Sequence, residues 1–427
     1  MYYSVVNMPQ QTRLKWICLL GLLAAMAGIF IYALPHLKVD RTSENEYLGV
    51  PYKMMADGDV HIHQGDPFVE NGPQAILVTT AIAYHLHSLK LMRVYHFLFS
   101  LAVVGWLYLI FFKRFDETLM RLWEIPLVAL LVLSTWITIP LILVYPIQVN
   151  GMTPGILCFI AGLLLEERHP RWAMIAFGFS YSFKGQFLAM LPGIFLYKAV
   201  FENRGRTIAY KSKELVLSAI LYLVPTAVIL TSLWWVMGLF RNRQDLLGYA
   251  FRAPTILINE FSYIIPVLTR KTAPDPFGTY GRAIEWAGWG FVAWLLVAIS
   301  MAFCLIWAAW SFWRRRKQSP SGPLEVPAAV LAMAGIGYWI NYLFFWRYPF
   351  WDNTLPMEWF NILLIPLGIY SLKPWISKRL NPRLAVIFLL LAGIAAGRNL
   401  IRRVIVKPVF NAAVLGDSLQ PYPWMKS

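Results

Sequence analysis

Glu44, Glu46, Asp57, Asp59, Asp66 and Glu70 crowd one stretch of this chain, soon after its first apolar run. Carboxylates held this close repel one another, so one of them placed beside an apolar surface would have its pKa raised. Such a carboxylate is suited to take a proton from a hydroxyl. The plain alternative is a solvated acidic loop. A second residue with chemical potential is Lys184, where two short apolar runs, 172–184 and 186–200, meet. Neither run spans a bilayer unaided. Interrupted segments are tolerated there only where they line a cavity or are covered by protein. An ionisable group at such a break is a functional-site hypothesis. Its alternative is a lysine that snorkels to the interface.

The histidines offer less. His61 and His63 form one pair, and His85 and His87 another. A zinc site needs three or four ligands in fixed geometry, and the spacing specifies no third. No metal and no cofactor is therefore expected, and a divalent cation has no support. The segment 73–90 reads more simply as an amphipathic juxtamembrane helix. Cys18, Cys158 and Cys304 lie inside apolar runs, with neither a disulfide framework nor a CxxC pair.

The elements that must position these groups are read from composition. Of 427 residues, 58% are hydrophobic and only 14% charged, with a mean hydropathy of +0.54. Soluble domains carry about 25% charged residues. A soluble enzyme, a nucleic-acid partner and a disordered chain are excluded. Continuous rather than alternating runs exclude a β-barrel. The runs are 16–34, 94–112, 125–145, 150–165, 172–184, 186–200, 214–239, 284–312, 327–346, 355–372 and 383–400. They predict an all-α polytopic membrane protein of about eleven helices. Residues 1–427 form a single membrane domain with no internal repeat and no separate soluble domain. The first run is too long for a signal h-region and reads as a retained helix.

The net charge of +16 sits at the ends of the runs, where it sets orientation and meets anionic lipid. With Arg13 and Lys15 inside, every short inside loop is basic. These loops hold Lys113, Arg114 and Arg121; Arg168 and Arg171; Arg204, Arg206, Lys211 and Lys213; Arg314 to Lys317; and Lys373, Lys378, Arg379 and Arg383. The opposite loops are long (35–93 and 240–283) or nearly uncharged (146–149). The tail bearing Arg398, Arg402, Arg403 and Lys407 is the misfit. Trp16, Trp123, Trp172, Trp313, Trp346, Trp351, Trp375 and Trp424 sit at run ends, as an interfacial belt requires.

Three motifs occur in order over the first 200 residues. The first is Ser43-Glu44-Asn45-Glu46-Tyr47, leading to Met54-Met55-Ala56-Asp57-Gly58-Asp59. The second is Gly65-Asp66-Pro67-Phe68, followed by Asn71-Gly72-Pro73-Gln74. The third is Ser180-Tyr181-Ser182-Phe183-Lys184-Gly185 with Leu191-Pro192. This arrangement resembles the protein O-mannosyltransferase and lipid A aminoarabinose transferase group of GT-C membrane glycosyltransferases. Ser43 stands where that family has its aspartate, so the base role falls to Glu44 or Glu46. Asn71 replaces a lysine, and Asn150, in Val149-Asn150-Gly151, stands where a second acid is expected. Residues 201–427 carry no matching motif.

The resemblance implies a hexosyl- or pentosyltransferase that moves a sugar from a polyprenyl-phosphate donor to an acceptor hydroxyl on a glycan, lipid or protein. It implies work at the outer face of a bacterial inner membrane, in contact with membrane lipid. The carboxylate would take the acceptor proton, and attack opposite the lipid phosphate would invert the anomer. The departing phosphate needs cations: Lys184, or Arg270, Lys271 and Arg282 in the loop 240–283. Tyr47, Asp59 and Asn150 would contact substrate. An amphipathic part of the loop 240–283 could cover the donor; its alternative is a connection lying on lipid. The turn Arg347 to Asn353 could touch sugar or acceptor, or be a plain aromatic turn. Two other classes remain: a polysaccharide polymerase or ligase, and a lipid-linked sugar transporter, which would favour internal repeats.

Overall fold

The computed structural model of the chain describes residues 10–34, 89–114, 122–138, 152–203, 205–235, 325–344, 357 and 359–367. Among these the regular structure is entirely helical. α1 is Gln10–Ala33, α2 Leu89–Arg114, α3 Glu124–Thr138, α4 Met152–Leu165 and α5 Pro170–Phe183. A composite segment follows: a 3-10 turn Gly185–Met190, α6 Leu191–Tyr197 and a π-turn Lys198–Glu202. α7 is Ile208–Trp235 and α8 Glu325–Phe344. A further helical stretch covers 359–367. The runs at 284–312 and 383–400 lie outside the described residues.

Among the described residues, three helices are long and apolar enough to cross a membrane: Gln10–Tyr32, Leu91–Phe112 and Ile208–Ile229. Their outer faces are apolar too. Ile17, Leu20 and Ile31 of α1, and Val216, Ile220 and Val228 of α7, are exposed. A soluble monomer rarely shows apolar surface on this scale. α1 and α7 begin about six residues before their apolar runs. Gln, Lys and Arg carry little helical penalty, so the helices extend through Gln10–Lys15 and through Lys211–Lys213. α1 ends at Ala33, two residues before Pro35, where a following proline disfavours helical geometry.

α1 and α2 run antiparallel. The Lys15 ammonium lies 5.3 Å from the centroid of the Phe112 ring, and the Tyr108 hydroxyl donates to the Lys15 carbonyl at 3.2 Å. Near the other ends, Phe30 and Phe97 stack with centroids 4.1 Å apart. α4, α5, the 3-10 turn and the stretch 359–367 meet around Phe159. Its ring lies 4.7 Å from Phe177, 6.0 Å from Phe187 and 5.1 Å from Phe360.

Glycines allow the tightest crossings. A Cβ on Gly178 of α5 would overlap the Tyr222 carbonyl of α7. A Cβ on Gly193 of α6 would overlap the Met333 carbonyl of α8, and one on Gly337 would come 2.7 Å from the Gly193 nitrogen. Where lipid tails are as apolar as leucine, close packing of this kind and not burial holds helices together.

Candidate functional site at the Lys184 break

The break predicted between 184 and 186 is present. α5 stops at Phe183, and Lys184 is extended, with φ −150° and ψ 121°. Gly185, a poor helix former, then opens the 3-10 turn. Leu191-Pro192 restarts an α-helix, with proline in the first turn, where its missing N–H costs nothing. Lys184 thus ends one helix and opens the next element. Its N–H donates to the Ser180 carbonyl at 3.1 Å, and its carbonyl accepts from the Phe187 N–H at 3.2 Å.

An interrupted helix leaves carbonyls to be satisfied. The Tyr222 hydroxyl, from α7, donates to the Phe187 carbonyl at 3.1 Å. Tyr222 is buried and stacks on Tyr181 at 5.7 Å. The start of α4 lies against the same place, with Gly155 beneath the Phe187 ring and the Ser180 carbonyl. The elbow is therefore braced by two neighbouring helices, and Lys184 sits on it half-buried. A cation on a rigid elbow can hold a phosphate as a fixed point charge.

The other predicted site residues lie outside the described residues: Glu44, Glu46, Tyr47, Asp59 and Asn150, with Arg270, Lys271 and Arg282. So do the histidine pairs 61/63 and 85/87, the loop 240–283, the turn 347–353 and the C-terminal tail. Among the described residues no three metal-binding side chains come together. Cys18 and Cys158 are free thiols. Trp123 and Trp172 are exposed beside the starts of α3 and α5, and Trp16 is exposed nearly two turns inside α1.

The sequence singles out Lys184 as the charge lodged in the middle runs, but the deeply buried lysine is Lys198, at 3% exposure. Its ammonium donates to Oε1 of Glu166 and to Oε2 of Glu202, each at 2.8 Å. Glu166 follows α4 directly, and its side chain is 1% exposed; that of Glu202, in the π-turn, is 33% exposed. Burial pushes the Glu166 carboxyl up, to about 7, against the opposing pull of Lys198. Oε2 of Glu166 has no hydrogen-bond partner. The sequence carries only part of this signal: Glu166 and Lys198 lie at or near the ends of runs that alternation brings to one face, but nothing local says that these two turn inward.

Further polar side chains are buried without partners. His96 on α2 satisfies neither ring nitrogen, and Asn361 satisfies neither amide atom. Against known proteins, no family model, no curated protein and no solved structure matches this chain.

Proposed function

We propose that the chain is a multi-pass membrane glycosyltransferase with a GT-C-like arrangement of about eleven helices. In this reading it transfers a sugar from a polyprenyl-phosphate donor to an acceptor hydroxyl. Glu44 or Glu46 takes the proton, and the sugar inverts in a single displacement. Lys184 meets the donor phosphate, helped by Arg270, Lys271 and Arg282. Reaction at the outer face of a bacterial inner membrane belongs to the same reading, as does a glycan, lipid or protein acceptor.

The observation that carries it is the interruption at Lys184. A cation stands there on a braced elbow, inside a sequence segment that resembles the family's third motif. The three apolar helices of spanning length support the membrane part. Purified protein incubated with labelled polyprenyl-phosphate sugar and membrane extract tests the proposal. Transfer of single sugars to a new product supports it. Growing polymers would favour a polymerase or ligase, and no chemistry a transporter.

A further inference from the structure

The buried cluster ties two turns together. Glu166 opens the turn between α4 and α5, and Lys198 and Glu202 lead into the turn before α7. α5 and α7 therefore begin at the same end of the bundle. That end is strongly basic. Arg168, Arg171, Arg206 and Lys213 are exposed, and Lys211 is half-buried. Among the described residues none of the five has a carboxylate within ion-pair distance. Glu202 is occupied by Lys198, which leaves Glu167 and Glu214 as the acids of these turns.

The arrangement costs the isolated fold something. α5 and α7 each begin with cations and with no acid in the first turn. The positive ends of their dipoles and the basic side chains then repel. Apolar side chains flank the charges: Trp172 is 64% exposed, Ile208 83% and Tyr210 42%. The Arg206 guanidinium lies 5.4 Å from the centroid of the Tyr210 ring. Cations with no carboxylate partner among the described residues, beside exposed aromatic and aliphatic groups, match a surface that is anionic in its outer layer and apolar beneath.

We infer that the paired turns 166–172 and 205–213 form a binding surface for anionic phospholipid headgroups. Arg168, Arg171, Arg206 and Lys213 contact lipid phosphates, and Trp172 and Ile208 enter the acyl boundary. The headgroups supply the negative charge that the two helix starts lack. This rests on the membrane reading but is independent of glycosyl transfer.

The test uses the full chain in vesicles of equal phosphatidylglycerol and phosphatidylcholine. After gentle extraction, mass spectrometry measures the ratio of the two retained lipids. Wild-type protein retains phosphatidylglycerol preferentially, by about fivefold for each basic side chain engaged. The preference collapses in about 1 M salt, where charges are screened beyond about 3 Å. The combined variant Arg168→Gln, Arg171→Gln, Arg206→Gln and Lys213→Gln reduces it at low salt to what the remaining basic loops supply. Equal retention by the wild type overturns the inference, as does a preference undiminished in the variant or in high salt. Capture of polyglutamate by the wild type with no lipid preference also overturns it, in favour of an acidic protein partner. If the variant aggregates, the double variant Arg168→Gln with Arg206→Gln takes its place, read against the same two outcomes. Release of the chain from membranes by alkaline carbonate would defeat the membrane reading itself, a separate failure.

Discussion

Glu166 and Lys198, 32 residues apart, meet at 2.8 Å with almost no solvent access to either side chain. The contact joins the end of α4 to the π-turn that closes the composite segment 185–202. Removing one partner from a buried pair strands the other charge, which costs about 3–5 kcal/mol. Lys198→Met is expected to fall in that range at pH 8. Glu202→Gln, losing a partly exposed i,i+4 partner, should cost under about 1 kcal/mol. The double variant Glu166→Leu with Lys198→Met should regain most of the loss. Reversible unfolding in detergent and SDS measures all three; equal costs for Lys198→Met and Glu202→Gln would contradict the pairing.

The same cluster predicts how stability varies with pH. One ammonium stands between two carboxylates, so a second proton neutralises the group. Burial favours the protonated Glu166 and sets its folded pKa near 7, above the ordinary 4.5. A raised folded pKa means that the folded state binds the proton more tightly than the unfolded state. The resulting stability is complete below about pH 4.5 and is lost as pH rises through about 7. Melting temperature should therefore fall between pH 5 and pH 8 in the wild type, and less steeply in Glu166→Gln. Parallel profiles for the two proteins would remove Glu166 as the cause. Protonation also spares a stranded carboxyl, so Lys198→Met should cost less at pH 5 than at pH 8.

Glycine contacts give a prediction whose sign differs by site. Gly193→Ala inserts a methyl group into the Met333 carbonyl and should destabilise by about 1–3 kcal/mol. Gly28 of α1 has nothing within 4 Å of the added carbon. There, alanine should stabilise by up to about 1 kcal/mol through helix propensity. Melting temperatures of the two single variants, measured side by side, check both signs.

These contrasts mark what could be read from sequence. The helices α1, α2, α7 and α8 follow apolar runs, because run length and hydropathy are local properties. The break at Lys184 was legible for the same reason: two runs too short to span, with Gly185 between them and Pro192 just beyond. Burial of Lys198 was not. Its neighbours in sequence are apolar like those of Lys184, and only the packing of α4 beside the π-turn supplies the carboxylate that lets it be buried. Glu166 is one of four consecutive ionisable residues with Glu167, Arg168 and His169, and which of them turns inward depends on tertiary contact. The partner of Phe187's carbonyl was equally hidden, because Tyr222 belongs to another helix.

The proposed chemistry is tested most directly at Glu44 and Lys184. A positioned base contributes about 10²–10⁴ in rate, so Glu44→Gln should lose transfer by that factor while the protein stays folded. If Glu44→Gln is fully active and Glu46→Gln is dead, the base is Glu46. Lys184→Ala removes a cation from a leaving phosphate, an effect of about 10²–10³ per donor. The backbone hydrogen bonds that hold the elbow, Lys184 N–H to Ser180 and Phe187 N–H to Lys184, survive truncation of the side chain. The loss should therefore appear in kcat and donor KM, measured on protein whose melting temperature shows that it is folded. Unchanged kinetics in Lys184→Ala would take the lysine out of the site and leave the elbow as architecture alone. Lys184→Arg offers the complementary reading. It restores the charge on a longer, planar group, so partial recovery of donor use is expected if the contact is electrostatic.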